Sequence, residues 1–252
     1  MGRAGAEEDE LSVRRLFSAE LAATPGSVIA LDTEALAHAR VLRLAPGDEL
    51  ELFDGRGQRQ RDRIDAIDKR GGQCVALAPP EQVAAGPRVV LVQCQPKGAK
   101  LDDIVRMTTE IGVAAIHVAL SERCVARSEG PRADPKAERW RRIAREAARQ
   151  SERSYVPEIM PPAPLDEVLA RAPQTAFKAA LVERSGAPLP RDIQASELWL
   201  AVGPEGGFSS ADRAHLTRAG FLSAGLGSAI LRTETAAVVG VALGLERFGT
   251  SR

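Results

Sequence analysis

Two glycine-bearing turns near the C-terminus hold the residues best placed to do chemistry. They are Gly203-Pro204-Glu205-Gly206-Gly207-Phe208 and Leu226-Gly227-Ser228-Ala229-Ile230-Leu231-Arg232-Thr233-Glu234-Thr235-Ala236. Each combines an apolar run, a bend at glycine, and a hydroxyl or acid able to cap a helix. The apolar run before the first turn, residues 198–202, reads as a buried strand. In α/β proteins a ligand binds outside the carboxyl ends of parallel strands, where such turns lie. Glycine without a Cβ lets backbone amides and carbonyls approach a ligand closely. Pro204 fixes one φ and stiffens the bend. A plain strand-to-helix turn needs one glycine, whereas this one has three around the lone carboxylate of Glu205.

Several chemistries are excluded. Neither turn ends in the Lys-Ser/Thr of a phosphate-cradling loop, and no Gly-x-Gly-x-x-Gly with a distal acid marks a dinucleotide site. No Gly-x-Ser-x-Gly elbow supports serine hydrolysis. Cys74, Cys94 and Cys124 are far apart and in no metal-ligand spacing, and His38, His117 and His215 are equally scattered, so no metal is expected. Free cysteines of this kind fit a reducing, cytoplasmic setting. The longest apolar run, residues 236–245, is far below the roughly 20 residues of a spanning helix, so no membrane partner is expected.

At 252 residues the chain is long enough for two domains with real cores. Acidic and basic residues balance at 34 each, so any nucleic-acid site must be a local patch. Residues 1–10 carry four acids among small residues without periodicity and read as a disordered extension. Proline and glycine at 79, 80, 86 and 87 mark residues 81–87 as a linker. Before it, residues 11–80 show short alternating strands at 50–53, 61–67 and 74–77, with a hairpin turn at Asp54-Gly55 and one helix at 33–42. A small β-barrel or sandwich-like module follows from that pattern.

After the linker, residues 88–252 alternate strand and helix, which argues for a parallel sheet with crossover helices. Strands are expected at 88–93, 114–120, 179–182 and 198–202, and helices at 100–111 and 135–150. A helix capped by Ser209 or Ser210 runs to Thr217, and one starting at Thr233 or Thr235 runs to about residue 248. Trp140, Ile143, Ala144, Ala147 and Ala148 face inward on the 135–150 helix, and Arg139, Arg141, Arg142, Arg145 and Arg149 face outward. Residues 121–153 hold ten Lys/Arg against six Asp/Glu, which makes this face either a phosphate-contacting surface or a solvated helix face. Arg40, Arg43, Arg56, Arg59, Arg61 and Arg63 form a second basic cluster. Gly240 and Gly244 suit close packing of the last helix, against a second subunit or within one.

Taken in order, these motifs resemble a known family. The two turns, Pro96-Lys97-Gly98, Thr109-Glu110-Ile111-Gly112-Val113, Ser121-Glu122-Arg123, Gln150-Ser151 with Arg153, and Val156-Pro157-Glu158-Ile159 look like the small-subunit (16S) ribosomal RNA uridine-N3 methyltransferases of the SPOUT class. Arg14-Arg15, Val41-Leu42-Arg43-Leu44, Gly47-Asp48 and Leu52-Phe53-Asp54-Gly55 resemble that family's PUA-like RNA-binding module. The resemblance implies an α/β C-terminal SPOUT-type parallel sheet with a trefoil knot, preceded by a small PUA-like β-barrel. It implies S-adenosyl-L-methionine as methyl donor, a homodimer, and small-subunit ribosomal RNA or the assembled subunit as substrate. Cofactor-lining positions would be Leu181, Gly203, Pro204, Glu205, Gly206, Gly207, Leu226, Gly227, Ile230, Leu231 and Arg232.

Arg232 with Glu234 would orient or polarise the uracil, with Glu205 a further carboxylate; simple capping of the last helix is the alternative for Glu234. The chain departs from the family pattern at Met107-Thr108, at Arg149 and Glu152, and at Ser228-Ala229, where a substrate-facing cation is absent. Two other readings stay open. One is a non-catalytic RNA-binding or ribosome-assembly module, and the other a SPOUT methyltransferase acting on another base or a ribose 2′-hydroxyl.

Overall fold

The computed structural model describes residues 14–124, 135–182 and 187–248. The expected disordered extension at residues 1–10, and Arg127 and Arg132 of the basic stretch, lie outside the described residues. The chain divides into two compact units between Ala84 and Ala85.

The N-terminal unit contains β1 (Arg15–Phe17), β2 (Val28–Ala30), α1 (Thr33–Val41), β3 (Glu49–Phe53), β4 (Gln58–Ile67), β5 (Gly72–Ala76) and β6 (Glu81–Gln82). These strands form a mixed six-stranded sheet in the order β1-β3-β4-β5-β2, with β6 paired to β4. Glu81 and Gln82, expected in a linker, instead hydrogen-bond along β4 opposite Arg59 and Gln58. Leu16, Ile29, Leu36, Leu50, Leu52 and Ile64 close the core between the sheet and α1. Its arginines are largely neutralised: Arg56 pairs with Asp54, Arg59 with Glu81 and Arg61 with Glu49.

One residue in this core conflicts with the pattern. Asp62 on β4 is fully buried, and neither carboxylate oxygen has a hydrogen-bond partner. Burial pushes its carboxyl up to about 7, and burial together with the Asp62 charge pushes the neighbouring Cys74 thiol up to about 12. A carboxyl whose folded pKa lies above its unfolded value favours the protonated native state. Between about pH 4 and pH 7 the folded chain therefore holds a proton that the unfolded chain has released, and stability falls as pH rises through that window. Thermal melting of Asp62→Asn should lose this decline, with a higher melting temperature than the parent at about pH 8 and little difference near pH 4. An unchanged pH profile would show that Asp62 is ionised in the native state.

The C-terminal unit contains β7 (Val89–Cys94), α2 (Lys100–Ile111), β8 (Ala115–Leu120), α3 (Pro135–Gln150), β9 (Glu158–Pro164), α4 (Leu165–Ala170), β10 (Phe177–Leu181), β11 (Ala187–Pro188), β12 (Leu198–Val202), α5 (Ser210–Arg218), β13 (Leu222–Gly225) and α6 (Thr233–Arg247). All seven strands are parallel, in the order β11-β13-β10-β12-β7-β8-β9. Alternate residues of β7 serve opposite faces. Val89 and Leu91 join a core with α2, α3 and α6, while Val90, Val92 and Cys94 join one with α4 and α5. A strand covered on both sides is apolar throughout, which is why β7 and β12 read as continuous hydrophobic runs.

Three features of this unit bear on the sequence expectations. Residues 158–164 form a strand despite Pro161, Pro162 and Pro164, because β9 is the sheet's edge and needs donors on one side only. The glycines of α6 pack inside the unit: a Cβ on Gly240 would lie 2.5 Å from Leu181 Cδ1, and one on Gly244 2.7 Å from Leu198 Cδ2. Trp140 and Trp199 are core residues, the latter packed against buried His117 at a centroid distance of 4.8 Å with the rings tilted by 42°. Burial, with Arg171 and Arg88 nearby, lowers the His117 pKa to about 4, so the imidazole is neutral in that core. No helix among the described residues is long and apolar enough to cross a membrane.

Strand order reverses where β12, late in sequence, inserts between β10 and β7. A crevice at the carboxyl ends of the strands is expected at such a switch. The chain also changes faces there, since α5 packs with α4 and α6 packs with α2 on the opposite side.

Candidate functional site

A cleft of about 410 Å³ opens at this switch point. Leu181 and Val182 close one wall at the end of β10, and Val202 continues into Gly203–Phe208 to make the floor. Ile230–Thr233 and Ala236 form the opposite wall. The rim carries Lys100, Arg123, Arg213 and Arg232. The volume lies within the usual range for small-molecule sites, and the lining mixes apolar side chains with glycine backbone and charged groups.

The first turn is shaped by its glycines. A Cβ at Gly203 would meet the Gly207 backbone at 3.2 Å, tighter than an ordinary contact, so glycine lets the turn fold closely on itself. Gly207 has φ +65°, the left-handed region, and its N–H donates to the Pro204 carbonyl at 2.8 Å. Beyond the turn, Ser209 caps α5 in a reciprocal box with Asp212.

The second wall is tied to the first by a buried relay. Gln93 Nε2, at the end of β7, donates to Thr233 Oγ1 at 3.0 Å, and Thr233 Oγ1 donates to the Gly203 carbonyl at 2.7 Å. Gln93 is fully buried and also donates to the Cys94 carbonyl at 2.8 Å. Thr233 opens α6, so one hydroxyl fixes the start of that helix against the floor of the cleft.

Within this floor the Glu205 carboxylate is already engaged. Lys100 Nζ lies 2.7 Å from its carboxylate, and the Lys97 N–H donates to both oxygens at 3.2 and 3.3 Å. Burial pushes the carboxyl up, but the bonds from Lys100 and the backbone outweigh it and leave the pKa below the ordinary range. An ionised, engaged carboxylate suits a latch on the turn better than a general base. On the other flank the Arg123 guanidinium donates to the Gly206 carbonyl, and the Glu122 N–H donates to Asp212 Oδ1 at 3.3 Å.

Of the residues expected at the site, Leu181, Gly203, Pro204, Glu205, Gly206, Gly207, Ile230, Leu231 and Arg232 line this cleft together. Leu226, Gly227 and Glu234 are not among the lining residues. Leu226 packs at the edge of the core beneath α6, Gly227 turns the chain with φ +114°, and Glu234 lies half-buried in the first turn of α6 with one carboxylate oxygen unpartnered. Val182, Val202, Phe208, Thr233, Ala236 and the cations Lys100, Arg123 and Arg213 line the cleft without having been anticipated there. The Thr233 hydroxyl, at a helix start directly after Arg232, was the one local signal for its role.

The arginine face of α3 is mostly self-neutralised. Arg139 pairs with Asp102, Arg141 and Arg145 with Glu138, and Arg149 with Glu146. That favours the solvated-face alternative for this helix over the phosphate-contacting one.

The family model described as RNA methyltransferase domain matches residues 84–244, and that described as RNA methyltransferase PUA domain matches residues 31–76. The chain belongs to this RNA methyltransferase family. It is 35% identical to ribosomal RNA small subunit methyltransferase E of Mycobacterium bovis, over 95% of this chain and 94% of that one. The Bacillus subtilis protein of the same name is 30% identical over 78% of this chain and 80% of its own length. Among solved structures, methyltransferase E of Neisseria gonorrhoeae bound to S-adenosyl methionine superposes with a TM-score of 0.83 at 29% identity, covering 91% of this chain and 95% of that one. A Legionella pneumophila protein in complex with the cofactor SAM gives a TM-score of 0.86 at 27% identity, covering 94% and 99%. The mixed N-terminal sheet is accordingly the PUA-like module of an RNA methyltransferase, and the parallel sheet is its SPOUT domain.

The Thr233 relay makes a direct prediction. Thr233→Val leaves the Gly203 carbonyl and one Gln93 N–H buried without partners, which should lower stability by about 1–3 kcal/mol in urea unfolding, whereas Thr233→Ser should restore it. Equal stability of Val and Ser variants would remove the hydroxyl from the account.

Proposed function

We propose that the chain transfers a methyl group from S-adenosyl-L-methionine to N3 of a uridine in small-subunit (16S) ribosomal RNA. The observation that carries this reading is the single cleft in which both glycine turns meet at the strand switch point, in a chain of this family. The cleft fits the donor: Leu181, Val182, Val202, Phe208 and Leu231 offer an apolar slot for a base, and the close-packed Gly203–Gly207 backbone offers amides and carbonyls to its polar edge. S-adenosyl-L-methionine, when bound, supplies an electrophilic methyl on a sulfonium.

The protein must then make N3 nucleophilic. The imide proton leaves only well above neutral pH, and each pH unit of that gap corresponds to about 1.4 kcal/mol. Arg232, exposed on the lining at the N-cap of α6, is suited to stabilise the developing imide anion. Glu234, two residues on and off the lining, serves as a positioning residue for that first turn, where a carboxylate is favoured by the helix dipole. Glu205 holds the floor through Lys97 and Lys100. Alignment of N3 with the methyl carbon by these walls can contribute on the order of 7–11 kcal/mol.

A homodimer belongs to the same reading. Ile230 and Leu222 remain exposed in the single chain at 51% and 61%, Ile230 on the cleft wall itself, and a second subunit would cover them. The change of face between α5 and α6 supports the trefoil knot. The cytoplasm is where such an RNA substrate would be met.

Nucleoside mass spectrometry on small-subunit RNA from a strain lacking the gene tests the target atom. Loss of 3-methyluridine alone, restored by the parent gene and not by Arg232→Ala, is the expected result. Loss of a different modified base or of a ribose methyl would overturn the assignment, and an unchanged nucleoside profile would favour a non-catalytic RNA-binding module.

A further inference from the structure

The methyl donor accounts for the glycine turns and the apolar wall but not for the charge around the cleft. Lys100, Arg123, Arg213 and Arg232 line it against one carboxylate, Glu205. Lys100 already pairs with Glu205. The three arginines form no ion pair with a carboxylate among the described residues, and all three are exposed. S-adenosylmethionine carries a sulfonium and an ammonium against one carboxylate, so it is itself a net cation. Guanidinium groups that line one cleft repel each other and a cationic ligand, the more so at low ionic strength. A polyanion that closes the cleft relieves this repulsion.

We propose that Arg213, together with Arg123, grips the phosphodiester backbone of RNA beside the nucleotide that enters the cleft. This rests on the methyltransferase reading above. Arg213 lies in the first turn of α5, directly after Asp212. Asp212 is buried, accepts the Ser209 N–H at 2.9 Å and the Glu122 N–H at 3.3 Å, and so pins the loop bearing Arg123 to the helix bearing Arg213. Arg123 in turn reaches the Gly206 carbonyl, and a Cβ on Gly206 would touch its Cδ at 3.4 Å. The two cations are thereby set on rigid supports on one flank of the floor, with Arg232 on the opposite wall. Guanidinium forks match phosphate oxygens in pairs. The second turn has no cation between Leu226 and Leu231, so the charge for the RNA comes from α5 and the loop after β8.

The test uses the full chain, saturated with S-adenosylhomocysteine so that nothing turns over, and an in vitro transcript of small-subunit ribosomal RNA as probe. Affinity is measured over a salt series. Arg213→Gln should weaken binding several-fold and reduce the slope of log K against log salt by about 0.7, the value of one lost phosphate contact on a single strand. Arg213→Lys should keep the parent slope. Calorimetric affinity for S-adenosylmethionine without RNA should be unchanged in both. An unaltered slope and affinity in Arg213→Gln would overturn the proposal. So would a loss of S-adenosylmethionine affinity, which would assign Arg213 to the carboxylate of the donor. Because binding is read without turnover, an error in the target atom appears in the nucleoside analysis and not here.

Discussion

The Thr233 hydroxyl is the contact on which the site depends. It accepts from Gln93 on β7 and donates to the carbonyl of Gly203 after β12, so three segments that are distant in sequence share one buried oxygen. The constraint is severe because none of these groups can turn to water: Gln93 is fully buried and Thr233 nearly so. Unmade hydrogen bonds inside a core cost more than made ones contribute. The chain therefore has one arrangement in which α6 starts against the beginning of the first glycine turn, and the cleft lies beside that junction.

Electrostatics sorts the remaining charges into two groups. Most of the arginines on α3 and β4 meet carboxylates of their own unit, which leaves those faces nearly neutral. At the cleft the opposite holds: one carboxylate is engaged by Lys100 and the Lys97 amide, and three guanidinium groups keep their charge. A local positive field inside a chain of zero formal net charge steers a polyanion to one place without making the whole surface adhesive.

The elements that were legible in the sequence are those whose pattern is local. Periodicity places the helices at Lys100–Ile111 and Pro135–Gln150, and an apolar run bounded by glycine places the strand at Leu198–Val202. The strand at Glu158–Pro164 was hidden by its prolines, which only an edge position tolerates. Leu222–Gly225 lacks the apolar pattern of a strand because two of its four residues are exposed beside a two-residue partner. At the site, the glycine turns announced themselves by composition. Lys100, Arg123 and Arg213 did not, since nothing in their own neighbourhoods says that three separate loops and helices converge. Leu226 and Gly227 belong to the second turn by sequence, yet the chain is still rising toward the cleft there and reaches its lining only at Ile230.

The central claim is that the two turns act as one binding surface for the methyl donor. Hydrogen–deuterium exchange of the full chain with and without S-adenosylhomocysteine tests it most directly. The account predicts that amides in residues 203–208 and 230–236 gain protection together, at the same ligand concentration. Protection of one segment alone, or of a region away from both, would contradict it.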